Sequence, residues 1–201
     1  MENVHRINLS PYFNAKAIGE LSLVESELFQ NVGISDTMIA PNSFVIANKK
    51  YETYFDAPKY RNGTYDHIVC QGQRIDNISC HGDRIYLLGF CEWINSNEIL
   101  TVEHGDGTSE NCRFTMEQSN YYQKKEKWSG KKMKIMHRHL YTEIGTCDEA
   151  FWFDRYDGIN SISRQAMCVS VCELTKNKQI SSIVLPDNEL MHIFAVTVAN
   201  M

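Results

Sequence analysis

The chain has three tryptophans, Trp93, Trp128 and Trp152, and each stands near polar or charged residues. A flat aromatic ring stacks on the apolar face of a pyranose, while neighbouring charged groups hydrogen-bond the sugar hydroxyls. Glu92 beside Trp93, and Asp154 and Arg155 close to Trp152, supply that kind of pairing. The competing reading is that each tryptophan plugs an end of a β-core. For Trp93 the apolar run LLGFCEW favours the plug.

Other residue sets point to other chemistry. His137 and His139 stand two apart in a strand-like run, so they share one face. That spacing holds a metal once a third ligand arrives, from His104, Asp106 or Glu143. A surface or hydrogen-bonded histidine pair is the plainer reading. Asp83, Asp106, Asp148, Asp154, Asp157 and Asp187 offer the oxygen ligands that calcium prefers, although no EF-hand spacing occurs and turn formation accounts for most of them. Glu92 and Glu103 are the pair that a glycosidase reading would use. Cys91, Glu92 and His104 are the set that a thiol nucleophile would use. Neither set sits in a motif, and GxSxG, HExxH, the P-loop and GxGxxG are all absent. Lys124, Lys125, Lys127, Lys131, Lys132 and Lys134 interleave with Tyr121, Tyr122 and Trp128, a mixture that can grip single-stranded nucleic acid. In a chain of net charge −5 they read instead as a solvated loop, and no nucleic-acid partner is expected.

The elements that must position these residues are short strands. At 201 residues, 43% hydrophobic and 22% charged, the chain suits one domain over 1–201. It has no apolar run of about 18 residues and no basic region followed by an apolar core at its start. Neither a membrane partner nor a signal peptide is expected. Seven cysteines without a CxxC pair read as free thiols in a reducing cytoplasm.

The stretch 65–107 organises the rest. DHIVCQ reads as a strand, QGQ as a turn, RIDNIS as a short edge segment and HGD as a turn. RIYLLGF reads as a strand buried on both faces. EILTVEH alternates, with Ile99 and Thr101 on one face and Leu100 and Val102 on the other. HGDGT is the tight tip of a hairpin that returns through SENCRFTM. Residues 21–31 suit a short helix or a strand and turn. Residues 117–131 and 145–164 read as loops, KMKIMHRHLYTEI between them as a strand, and AMCVSVCEL, QISSIVLP and HIFAVTV as three separate strands. Roughly 8 to 10 strands joined by turn chemistry, with few short helices, indicate an all-β, antiparallel sandwich.

Five segments occur in order: NLSPYFNAKAIG, IVCQGQRI, DRIYLLGFCEW, HGDGT and SSIVLPDNELMHIFAVTV. Together, over 8–198, they resemble a bacterial β-sandwich domain of the galactose-binding-like (jelly-roll) class, found beside glycoside hydrolases and in stand-alone proteins. The resemblance implies a jelly roll; no cofactor is expected, although sandwiches of this class often carry a structural calcium ion and the resemblance raises that alternative. The loops at 119–134 and 145–164 lie outside the recognised pattern and are where a ligand of this particular chain is expected.

The expected function is a non-catalytic recognition module for carbohydrate, with Trp93, Trp128 and Trp152 stacking and Glu92, Asp154 and Arg155 hydrogen-bonding. The alternative is a structural or assembly subunit that packs a sheet face or aromatic loop on a protein partner or on a second copy. A glycoside hydrolase is the third reading.

Overall fold

The computed structural model describes residues 3–16, 45–46, 53–55, 65–92, 95–117, 122–123, 140–142, 145–156 and 161–200. They form twelve strands: β1 (Asn3–Arg6), β2 (Val45–Ile46), β3 (Ile68–Gln71), β4 (Arg74–Ile75), β5 (Cys80–Cys91), β6 (Ser96–His104), β7 (Ser109–Met116), β8 (Tyr122–Gln123), β9 (Leu140–Thr142), β10 (Gly145–Tyr156), β11 (Ser161–Val184) and β12 (Asp187–Asn200). Among the described residues the only helical piece is a single 3-10 turn, Ser10–Tyr12. None contains a helix long and apolar enough to cross a membrane.

The strands belong to one antiparallel sheet with the central order β1-β12-β5-β11-β10-β2. The sheet curls. β6 pairs with the far half of β11 and with β7, and the β6–β7 hairpin folds back over one face. Three contacts close it there. The Cys91 amide donates to the Glu117 carbonyl at 2.8 Å. The Ser170 hydroxyl donates to the Thr115 carbonyl. Asn188 Nδ2 reaches Ser96 Oγ and Glu98 Oε1 at 3.0 and 2.7 Å.

The apolar core fills the enclosed face. Ile85, Leu87 and Cys91 of β5 point into it with Leu100 and Val102 of β6, Phe114 of β7 and Ile193 and Val196 of β12. The alternate residues of β5, Tyr86, Leu88 and Phe90, are also buried, on the opposite face. RIYLLGF is therefore covered on both sides, as its unbroken apolar run requires. In β6 the alternation is equally direct: Leu100 and Val102 are buried, while Ile99 is 45% exposed.

Three expectations are corrected. HGD is not a turn but lies within β5. Its glycine serves close approach: a Cβ on Gly82 would stand 2.3 Å from Val198 Cγ1 and 2.7 Å from the Ala199 carbonyl oxygen. AMCVSVCEL and QISSIVLP are not two strands but parts of the single β11. Between the pairs Glu173–Arg84 and Lys178–Gly82, residues 174–177 of β11 stand against Asp83 alone. That bulge replaces the expected turn, and Glu110 Oε2 satisfies it by accepting from the Thr175 amide at 3.0 Å and hydroxyl at 2.6 Å. Third, residues 145–156 are a strand, β10, rather than part of a loop.

The hairpin tip follows its sequence. Gly107 takes φ +81°, and Asp106 Oδ1 accepts from the Thr108 amide at 3.0 Å. Lys178 binds Asp106 from β11 and, with Thr108, holds that carboxyl well below the usual range. The pair is substantially exposed, so screening discounts it. Asp106→Ala is expected to lower the urea midpoint measurably, because the turn loses its internal acceptor. Lys178→Ala is expected to lower it by less than half as much.

Candidate functional site

On the face opposite the enclosed core, five charged or titratable side chains form one buried series. Lys16 Nζ lies 3.3 Å from Asp66 Oδ2. Asp66 Oδ1 is 2.8 Å from His67 Nδ1. His67 Nε2 is 2.8 Å from His192 Nδ1. His192 Nε2 is 2.7 Å from Glu92 Oε1. All five residues are at least nine-tenths buried, and both histidines are wholly so.

Four separate segments bring them together. Lys16 follows Ala15, which bridges to His67 alongside β3. The edge there is completed by a side chain: Asn14 accepts from the Val69 amide at 2.7 Å and donates to the Val69 carbonyl at 3.0 Å, as a paired strand would. Asp66 and His67 lead into β3, Glu92 follows β5, and His192 lies in β12. A bulge in β12 orients His192. Ile193 pairs with Gly89 and Ala195 with Leu88, so Phe194 is an extra residue. The extra residue resets the pleat. Ile193 and Val196 both reach the enclosed core, while His192 and Phe194 face the other way. Aromatic rings then wall the pair: Phe194 stacks on His67 at 4.7 Å and Phe90 on His192 at 4.9 Å between centroids.

Burial dominates the electrostatics. It lowers the His192 ring to about 4, against the smaller upward pull of the Glu92 hydrogen bond. Both nitrogens of each ring are engaged within the series, so neither imidazole has one to spare for a substrate proton. The arrangement can share protons internally and bind segments together. It does not present a general base.

Glu92 is therefore not at a surface with a sugar: its carboxylate is spent on His192, because the alternation of β5 turns it to the same buried face as Phe90. The glycosidase pair is not assembled either. Glu92 follows the end of β5, whereas Glu103 pairs with Ser182 beyond the start of β5 and binds Arg74. Cys91 and His104 are likewise at opposite ends of β5, and His104 binds Glu110 at 3.1 Å. Burial raises the Cys80 thiol to about 11 and the Cys70 thiol above the ordinary range.

The other expected site residues divide into two groups. Trp93, Trp128, His137, His139, Glu143 and Asp157 lie outside the described residues. Trp152, Asp154 and Arg155 fall in β10. Their register separates them: Trp152 pairs with Ala166 and Val45, Asp154 with Arg164, and Arg155 with Ser163, with no shift from Trp152 to Arg155. The pleat thus puts positions 152 and 154 on one face and 155 on the other. Arg164, not Arg155, is in register with that face, and it also pairs with Tyr122 of β8. Of the remaining calcium candidates, Asp106 is bound to Lys178, Asp83 sits opposite the β11 bulge, Asp148 is within β10 and Asp187 opens β12. They are scattered, and no group of three or more His, Cys, Asp or Glu among the described residues could hold a metal ion.

Sequence reasoning missed Lys16, Asp66, His67 and His192. A signal was present: a histidine opens one apolar strand in DHIVC and sits inside another in MHIFAV. Residues 125 apart give no hint that they meet. The chain matches no family model, and no curated protein matches it.

Proposed function

We propose that the chain is a non-catalytic recognition domain, that its ligand is a carbohydrate, and that the face of β8, β11 and β10 on which the positions of Tyr122, Arg164, Trp152 and Asp154 fall reads it. The supporting observation is the register, which sets two aromatic and two oppositely charged positions on one face of neighbouring strands. Stacking rings flanked by hydrogen-bonding groups is the chemistry a sugar needs. The resemblance to galactose-binding-like sandwiches supports the same reading. So does the engagement of the described acid–base candidates in internal bonds. A cytoplasmic setting belongs to the proposal, supported by six free, buried cysteines among the described residues.

The test is a titration of tryptophan emission with a panel of mono- and oligosaccharides, followed by calorimetry on any hit. The wild type is expected to saturate with at least one sugar. Trp152→Ala is expected to weaken that binding at least tenfold with an unchanged unfolding midpoint. A panel without a response, or a Trp152→Ala variant that binds as well as wild type, ends this reading. A stable oligomer without a sugar response would favour the assembly subunit instead.

A further inference from the structure

We infer that Asp66, His67, His192 and Glu92 hold three protons as one unit and, with Lys16, form an acid-sensitive clasp fastening residues 14–16 to the edge of the sheet at β3. The inference is independent of the ligand.

The count follows from the geometry. The series has three hydrogen bonds, Asp66–His67, His67–His192 and His192–Glu92. Each requires one hydrogen in its gap. With the two terminal carboxylates ionised as acceptors, the rings carry three N–H groups between them: one imidazolium and one neutral imidazole. Across these five residues Lys16 and the imidazolium then offset Asp66 and Glu92. A charge series that balances within itself is one that burial tolerates.

A fourth proton breaks the balance. On the second ring it sets N–H against N–H across the 2.8 Å gap between His67 and His192. On Asp66 it weakens the hold on Lys16. In every position it adds positive charge to a buried series that already holds the Lys16 ammonium. Asp66, Lys16 and Glu92 are charged or titratable groups that the neighbouring segments bring to the histidines. Glu117 is buried nearby, and its carbonyl accepts from Cys91. The least costly relief is departure of Lys16. His192 lies within a strand paired on both sides, whereas residues 14–16 meet the sheet edge through an isolated bridge, its backbone hydrogen bonds to Asp66 and His67, and the Asn14 side chain. Burial sets the direction. His192 in the closed clasp takes its proton near 4, and a solvated histidine does so near 6.5. The open form therefore binds more protons in that window, so opening is favoured as pH falls through it.

Hydrogen exchange of the intact chain, corrected for the intrinsic rate at each pH, tests this. Between pH 7 and 4.5 the amides of Ala15, Asp66 and Val69 are expected to lose at least tenfold in protection, while those of Leu100 and Val102 in β6 keep theirs. His192→Gln, which offers Glu92 a neutral donor and cannot take the extra proton, is expected to keep the seam closed at pH 4.5. Ring nitrogen NMR of the wild type at pH 7 gives a second readout, with three N–H groups expected over the four nitrogens of His67 and His192. The proposal is overturned by protection that persists to pH 4.5, by loss that strikes β6 equally, by a His192→Gln variant that opens at the wild-type pH, or by two neutral rings at pH 7.

Discussion

Replacing Gly89 with alanine is expected to prevent the native sheet from forming. A Cβ at this position would stand 2.0 Å from the carbonyl oxygen of His192 and 3.1 Å from its carbonyl carbon. Both atoms are backbone, so no rotamer change relieves the overlap. The bulge in β12 causes this closeness: it brings the β12 main chain down onto β5 where Ile193 pairs with Gly89. To admit the methyl group, β12 must lose the bulge or leave β5. Losing the bulge turns Val196 and Val198 out of the core, or His192 and Phe194 into it. Leaving β5 breaks one of the longest strand pairings in the molecule. The expected cost is above about 4 kcal/mol, in the range where a domain fails to fold. Circular dichroism and urea unfolding would check it. A Gly89→Ala chain with a native midpoint would show that the backbone does not approach here as closely as described.

The second large effect concerns the buried series. Glu92→Leu removes one member of a buried ion-paired group and takes away the carboxylate that lies 2.7 Å from His192 Nε2. Truncating one partner of such a pair typically costs about 3–5 kcal/mol, because the remaining charge stays buried and uncompensated. Glu92→Gln retains an acceptor oxygen of the same size and is expected to cost less than half as much. Urea unfolding at pH 7 separates the two variants. Equal losses would mean that the carboxylate acts through packing alone.

The same group gives wild-type stability a defined dependence on pH. The folded His192 ring titrates near 4, below its ordinary 6.5, because burial disfavours its charged form. Between these values the unfolded chain binds more protons than the folded one, so stability rises with pH across the window. Stability therefore falls as acid is added through that window, by roughly 3 kcal/mol at pH 4. Midpoints measured from pH 7 to 4 should trace that decline.

Local patterns in the sequence were enough for much of the fold. The unbroken apolar run of β5 announced a strand covered on both faces. The alternation of Leu100 and Val102 against Ile99 assigned the faces of β6, and HGDGT located the hairpin. Each of these features is decided within a few residues, by the two-residue period of a strand or by the φ that a turn demands. Where a local rule competed with a long-range contact, the contact won. Gly82 looked like a turn residue, but the space it leaves is for Val198 and Ala199. Thr175–Lys178 looked like a break between strands, but Glu110, distant in sequence, satisfies the bulge and lets β11 run on.

The candidate site shows the same division more sharply. Glu92 drew notice because it stands beside Trp93, and Arg155 because it stands near Trp152. In both cases the partner is set by pairing between strands rather than by nearness in sequence. The partner of Glu92 is His192, and the residue in register with Asp154 is Arg164. By itself the sequence determined that the chain is β-rich, where its central strand and hairpin lie, and which residue types were available for chemistry. Only the tertiary structure decided that Lys16, Asp66, His67, His192 and Glu92 form one buried group. Their meeting depends on a one-residue bulge in β12 and on strand pairings across the length of the chain, and neither leaves a mark in any local window of residues.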